Sequence, residues 1–456
     1  MSLTRRELLK ALGSLAALPL LAACGNSLPD SIRPGGEANV PTVHVVAPNI
    51  TLISATNLIR AIQAWNGGEI DSAGPNERFR ISLQIIKARE DGGVTASGSP
   101  PTWTYFRRGI DAEAAAGRPA DVAMLTGGIF TLPGIASPFF APLNDYVQRD
   151  PGFLNEFVTP AVDATTFGGR IQAVPTVLGA GVMAWRPDRF DDTDLPPPPA
   201  KWTWNDLAAL GQDFMTAARA RNKDDWWAIG EGLHSALWAH LMAQSGGGVL
   251  NMEEGRLSLN SDKTRAALQW WRDLAYTHRI MPTGADMSFF DMTRLAPRKR
   301  AAFHHAMVYS GENIGGGWKV QHSPSFAGNA NSSLYVMDVM GIHGKSVQTE
   351  LAYQAIKALA PYVSLRSMVP AWIPALKHVE NPSGERPELA LVEDRVPVVL
   401  EALRNGLGTT TLPWTEVGTL LTRNLIEPLY TDELDVAAAT ERATRAVANA
   451  LPGVLM

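Results

Sequence analysis

Cysteine is almost missing from this chain: Cys24 is the only one in 456 residues. No internal disulfide can form, and no cysteine is available for chemistry in the body of the protein. There is no basic block. Forty Lys and Arg face 45 Asp and Glu, a net charge of −5, which argues against nucleic acid as a partner. No apolar run is long enough to cross roughly 30 Å of hydrocarbon as a helix. Internal repeats are absent, and the only low-complexity block is Pro196 to Pro199.

Catalytic signatures are missing too. No Gly-x-Ser-x-Gly elbow occurs. His304 and His305 are adjacent, so on a strand they point to opposite faces, and no His-x-x-x-His or Glu-x-x-His pattern accompanies them. No metal and no cofactor is therefore expected. Gly341 to Ser346 imitates a phosphate loop, but the first glycine of that motif would stand at Val339. Gly179 to Ala184 fits a loose dinucleotide fingerprint, yet the residues after it are extended up to Pro187, where a helix should open.

What is present begins with an export signal. Thr4-Arg5-Arg6 and Lys10 precede a run of about a dozen apolar residues closing in Leu21-Ala22-Ala23-Cys24. The paired arginines point to the twin-arginine route. The Leu-Ala-Ala-Cys ending resembles the bacterial lipoprotein signal, which implies lipidation of Cys24 and a soluble body tethered outside the cytoplasmic membrane; an uncleaved anchor or a chance cysteine is the alternative. Residues 1–24 are the signal on this reading, and 25–41, rich in Pro, Gly, Ser and Asn, are a flexible tether.

The remaining chain holds ample core material, 45% hydrophobic and 19% charged, with thirteen tryptophans. Val43 to Ala47, Phe79 to Ala88 and Pro119 to Leu125 read as strands, with helical spacing at Leu58, Ile62 and Trp65 and again from Ile110. Strands alternating with helices predict a mainly parallel sheet covered on both faces. Ligands of such sheets sit beyond the carboxyl ends of the strands, which places Asn49 and Thr126 to Gly128 at a cleft. Ile171 to Val177 and Val182 to Trp185 read as extended runs separated by Leu178 to Gly181. Thr203 and Ser261 are placed to cap helices, and further strands are predicted at Ala301 to Tyr309 and Leu334 to Gly341.

These segments resemble the family 1 extracellular solute-binding proteins, the sugar-binding lipoproteins of ABC importers. Carrying the resemblance are Pro119-Ala120-Asp121-Val122, Ala141 to Asp145, Gly168 to Pro175 running into Met183 to Arg186, Lys201 to Leu207, and Ser245-Gly246-Gly247. Leu259-Asn260-Ser261 with Trp271 to Leu274, Ala306-Met307 before Gly311, and Trp372 to Ala375 follow in order. The resemblance implies an α/β periplasmic-binding-protein-like fold of type II: two discontinuous lobes joined by a hinge, 42–177 with 332–367 and 178–331 with 368–456. Gly179 and Gly181 suit the hinge because glycine reaches backbone angles other residues resist; a tight turn without motion is the competing reading.

It also implies a non-enzymatic monomer that closes on a sugar, oligosaccharide or polyol and delivers it to the membrane subunits of an ABC permease, at the periplasmic or outer face of the cytoplasmic membrane. Transferred position by position, the ligand contacts are Asn49, Thr126, Gly127, Glu312, Asn313 and Trp414, with Trp372 in a family turn. His234 and Trp238 share a helical face that could equally be packed core. Where the family has an aromatic in the loop after the strand, this chain has Asn313, with Trp318 further on. Alternatives are a receptor for a phosphorylated polyol or other small anion, using Lys319 or Arg366 with helix N-termini; a secreted glycoside hydrolase, drawing its carboxylate pair from Glu231, Glu253, Glu254 and Glu312; and a structural surface lipoprotein.

Overall fold

The computed structural model describes residues 31–32, 40–49, 52–70, 79–88, 102–126, 128, 131–231, 236–286, 300–308, 317–326, 333–367, 369–380, 395–411 and 415–451. The chain opens with the expected alternation: β1 (Thr42–Pro48), α1 (Leu52–Asn66), β2 (Arg80–Ile86), α2 (Trp103–Ala115) and β3 (Val122–Leu125). β1 lies between β2 and β3 and is parallel to both. Val43, Val45, Val46 and Ala47 are all buried, as befits a parallel strand covered on both faces. Ser31–Ile32 adds a short antiparallel edge to β2.

β4 (Val174–Trp185) follows as one strand of 12 residues. The break expected at Leu178 to Gly181 is not there, because that stretch has strand partners on both sides. Residues 174–180 pair antiparallel with β8 and residues 180–185 with β6, defined below. A segment rich in small residues reads locally as a loop; two neighbouring ladders make it a strand.

Beyond β4 come α3 (Trp204–Ala220), β5 (Trp227–Ile229), α4 (Leu237–Gln244), α5 (Asp262–Tyr276), β6 (Ala301–Val308) and β7 (Lys319–Gln321). Thr203 starts α3 with a capping box: its hydroxyl accepts the Asp206 N–H, and the Asp206 carboxylate accepts the Thr203 N–H. Ser261 caps α5 in the same way through the Thr264 N–H. β6 runs parallel to β5 and antiparallel to β4. The chain then returns through β8 (Ser333–Ile342), α6 (Thr349–Leu365), α7 (Val396–Asn405) and β9 (Leu407–Thr409), and ends in α8 (Glu416–Leu421) and α9 (Val436–Ala450).

A single sheet, in the order β2-β1-β3-β8-β4-β6-β5, therefore runs through the molecule. Two hydrophobic cores form on it. The first gathers β1, β2, β3, α2, α6 and α7; the second gathers α3, α4, α5, α8 and α9. β4 serves both: Ala180, Val182 and Ala184 pack in the first core, while Met183, on the opposite face, packs in the second. One boundary differs from expectation: the resemblance puts residues 368–456 in the second lobe, but Val369, Ala371, Val398 and Leu403 are buried in the first core. The chain passes to the second core only after Leu403, through β9, which pairs parallel with β8. Among the described residues no helix is long and apolar enough to cross a membrane.

β9 passes close to the short helix Thr159–Asp163, and Gly408 makes the approach possible: a Cβ there would lie 1.9 Å from the Pro160 carbonyl oxygen. Gly408→Ala should therefore cost about 1–3 kcal/mol, the usual penalty for overpacking. Chemical denaturation checks it; an unchanged midpoint would contradict the close approach.

Candidate functional site

The strand register fixes where a ligand can sit. β3 runs antiparallel to β8 and ends with Leu125 opposite Val339. β6 runs antiparallel to β4 and ends with Val308 opposite Ala180, which itself faces Leu334. The carboxyl ends of β3 and β6 thus point at each other along β8 from Val339 to Leu334, a span of roughly 17 Å at the rise of a strand. Between them β4 and β8 form a floor. Its one face carries Val177, Met307, Tyr335 and Met337, closed at one side by Ala236 just before α4.

Gly179 pairs with Tyr335 and Gly181 with Met307, so both proposed hinge glycines lie in the floor ladder itself. Neither has a positive φ. Gly181 is needed for space: a Cβ there would sit 3.1 Å from His305 Nε2, 3.2 Å from His240 Nδ1 and 3.2 Å from the Tyr335 ring. The His240 and His305 rings lie 4.5 Å apart between centroids, tilted by 38°, and the Tyr335 ring lies 6.4 Å from His305. Glu231, immediately after β5, accepts the His305 backbone N–H at 2.5 Å. His304, on the other face of β6, packs on Trp318 at 4.3 Å.

This cluster is buried: His240 and Tyr335 are 0% exposed, Glu231 1% and His305 2%. Burial pushes the His240 imidazole down to about 3, so it is neutral. Neither of its ring nitrogens has a hydrogen-bond partner. Burial, helped by the Glu231 charge, pushes the Tyr335 phenol well above its ordinary range. Among the described residues β4 and β8 carry no Lys or Arg. Two buried carboxylates accompany the neutral donors and acceptors: Glu231 and, on β8 itself, Asp338, each 1% exposed.

The residues proposed from sequence fall in different places. Thr126 ends β3 at the rim, 1% exposed, and its hydroxyl has no partner. The loop beyond it is anchored on the floor: Gly128 N–H donates to the Met337 carbonyl at 2.6 Å and the Thr131 hydroxyl to the same oxygen at 3.2 Å. Asn49 ends β1, and its side-chain oxygen accepts the Ala88 N–H at 2.8 Å, tying together the ends of β1 and β2. Trp238 is fully buried in the second core. Trp372 packs against the first core and donates its indole N–H to Glu156 at 2.9 Å. Gly127, His234, Glu312, Asn313, Trp414 and Cys24 lie outside the described residues. In sequence, the first five stand within five residues of Thr126, Glu231, Val308 or Thr411.

His240, His305, Tyr335, Met307 and Met337 were not singled out as site residues. Their only sequence signal is the period of two in β6 and β8, which puts 305 and 307, and 335 and 337, on common faces. Among the described residues no group of three or more His, Cys, Asp or Glu is arranged to hold a metal ion. Lys319 lies over the Trp185 ring at 5.9 Å and Arg366 over the Tyr362 ring at 3.4 Å.

Residues 84–285 match the sequence model of a family described as bacterial extracellular solute-binding protein. Solved structures match along most of the chain. An ABC substrate-binding protein from Listeria monocytogenes in complex with cycloalternan gives a TM-score of 0.57 at 17% identity, covering 90% of this chain and 99% of that one. The cyclic alpha-maltosyl-1,6-maltose binding protein from Arthrobacter globiformis gives 0.61 at 15% identity, covering 90% and 99%. Maltose-bound MalE3 of T. maritima gives 0.54 at 21% identity, covering 89% and 98%. Likeness at such identities establishes the fold, and the two-lobed periplasmic-binding-protein-like architecture expected from the sequence holds.

Burial of the site has a consequence for stability. His343, 6% exposed, packs edge-on to Phe139, and its imidazole is pushed down by burial to about 4, as His240 is to about 3. Both stay neutral in the folded chain while their unfolded counterparts take up a proton near pH 6.5. The stabilisation is complete above that pH and lost as pH falls toward 4, by about 1.4 kcal/mol per unit for each ring. Unfolding midpoints measured from pH 7.5 to 4.5 should fall accordingly and fall less steeply in His343→Asn; a flat profile would refute the burial of neutral rings.

Proposed function

We propose that this chain is a bacterial extracellular solute-binding protein, as the match over residues 84–285 supports, and that it captures an uncharged, hydroxyl-rich solute between its lobes and hands it to the membrane subunits of an ABC importer. The solute is a sugar, an oligosaccharide or a polyol. The observation that carries this reading is the opposed carboxyl ends of β3 and β6 across a floor free of cations. Neutral imidazole, phenol and threonine hydroxyl can each exchange a hydrogen bond with a sugar hydroxyl, and Met307, Met337 and Val177 offer apolar contact to its C–H faces. Members of this family act outside the cytoplasm, and lipid on Cys24 is the attachment we propose for this one.

Thr126, Gly127, Glu312, Asn313, Trp414 and His234 are proposed as the contacting residues around that floor, with Asn49 and Trp372 in outer positions. Trp414 is assigned the stacking role, since an indole offers an apolar face with a polar edge. Gly179 and Gly181 are proposed as the hinge, and at Gly181 a side chain would also crowd His305, His240 and Tyr335. The chain is proposed to bind and release without turnover.

Titration calorimetry against maltose, maltotetraose, cyclic glucans and common polyols should find a binder whose affinity changes little with added salt. Trp414→Ala should then weaken that binder about tenfold or more, as loss of a central aromatic contact does. Affinity collapsing with salt would favour a charged ligand instead. Free sugar released from a glycoside would favour the hydrolase, and silence across the panel would sink the saccharide reading.

A further inference from the structure

Among the hydrogen bonds between the lobes, one joins α2 of the first to α8 of the second. α2 is fixed to the first core through Trp103, Phe106 and Ile110. α8 is fixed to the second through Val417 and Leu421. The backbone N–H of Trp103 donates to Glu416 Oε2 at 2.8 Å. Each helix is anchored to its own core, so this bond breaks if the lobes separate at this point.

The chemistry of the contact is specific. Trp103 is the first residue of α2, where backbone N–H groups have no partner within the helix. Thr102, the cap, serves the N–H of Tyr105 with its own hydroxyl; the N–H of Trp103 is served from the other lobe. A helix N-terminus carries a partial positive charge that a carboxylate stabilises. Glu416 also lies in the first turn of α8, behind the cap Thr415, whose hydroxyl accepts the Gly418 N–H at 2.9 Å. One carboxylate thus stands at two helix N-termini on opposite lobes. Around it lies a groove of about 450 Å³, with Trp103, Arg107 and Arg108 on one wall and Glu416 and Asn449 on the other.

We propose that Glu416 is an interlobe clasp: by docking on the N-terminus of α2 it favours the closed arrangement of the lobes without touching the ligand. Opening leaves the carboxylate with its own helix alone and exposes the Trp103 N–H to water. The clasp sets how much of the ligand-free protein is already closed, and therefore how readily a bound solute is released. It rests on the reading that the lobes close, and its test needs no ligand.

Paired spin labels or dyes at Arg60→Cys and Asp213→Cys, exposed positions on α1 and α3, report the interlobe distance in the full chain carrying Cys24→Ser. Ligand-free protein should show closed and open populations. Glu416→Ala should lower the closed-to-open ratio roughly threefold to tenfold, the effect of one carboxylate lost from a helix N-terminus. Glu416→Asp keeps the charge at α8 but falls a methylene short of α2, so it should show most of the same loss; this separates the clasp from any weakening of α8. Raising the salt should move the unsubstituted protein toward the variants. Two populations in an identical ratio in all three proteins would overturn the clasp, while one fixed distance everywhere would overturn it together with lobe closure.

Discussion

The antiparallel pairing of β4 with β8 is the constraint on which the other features of the molecule depend. Buried backbone N–H and C=O groups must be paired, and these two strands satisfy each other from Val174–Met340 to Ala180–Leu334. Both are longer than either lobe needs, so both cores are built onto the same ladder. The parallel strands of the first lobe join it at Val339 to Ile342, and β6 joins from the opposite side at 180–185. Once those registers are set, the carboxyl ends of the two strand systems have to face one another. The cleft is a product of topology before it is a product of any particular side chain.

Alternation along the crossing strands then decides what the cleft contains. Leu334, Val336, Ala180 and Val182 point into the first core, which commits Tyr335, Met337, Gly179 and Gly181 to the other face. Large side chains on β8 and β6 are accommodated because β4 supplies glycine beside them. His240 and His305 pack with their rings tilted by 38° beside Gly181, and burial keeps the His240 ring neutral. Among the described residues the His240 ring nitrogens have no hydrogen-bond partner, and an unpartnered buried polar group costs about 1–3 kcal/mol, a cost set here against two extended hydrophobic cores. Such a cost is typically retained where a polar group is needed by something that binds.

Contacts between the lobes are of two kinds. Near the crossing, Ile135, Ala136 and Phe167 pack with Leu250 and Met252, and the Gly168 N–H donates to the Met252 carbonyl at 2.7 Å. These are short backbone and apolar contacts, insensitive to ionic strength. The carboxylate of Glu416 at α2 is an electrostatic contact between helix ends, sensitive to distance and ionic strength. A pivot that persists and a polar contact that can break are the complementary parts a closing receptor requires.

Much of this architecture could be read from the residues themselves. The unbroken apolar runs of β1 and β3 and the caps Thr203 and Ser261 were legible because each is a local signal, and the two lobes followed from the resemblance carried by the ordered segments. The mainly parallel sheet expected holds only for β2-β1-β3 and the β5–β6 and β8–β9 pairs, since β8 pairs antiparallel with β3 and β4, and β4 with β6. The continuity of β4 was not legible, since Leu178 to Gly181 owes its strand conformation to partners far away in the chain. Val369, Ala371 and the buried face of α7 went to the first core for the same kind of reason: helical spacing shows that α7 buries one face, and cannot show against which sheet. Trp238 had a helical face that fitted either ligand or core, and packing placed it in the core. His240, His305 and Tyr335 come from three separate elements and meet only because β4, β6 and β8 are paired in that register. Sequence alone determined which residues wish to leave water and where helices start; the tertiary structure decided which of them meet, because meeting depends on long-range strand pairing that no local period encodes.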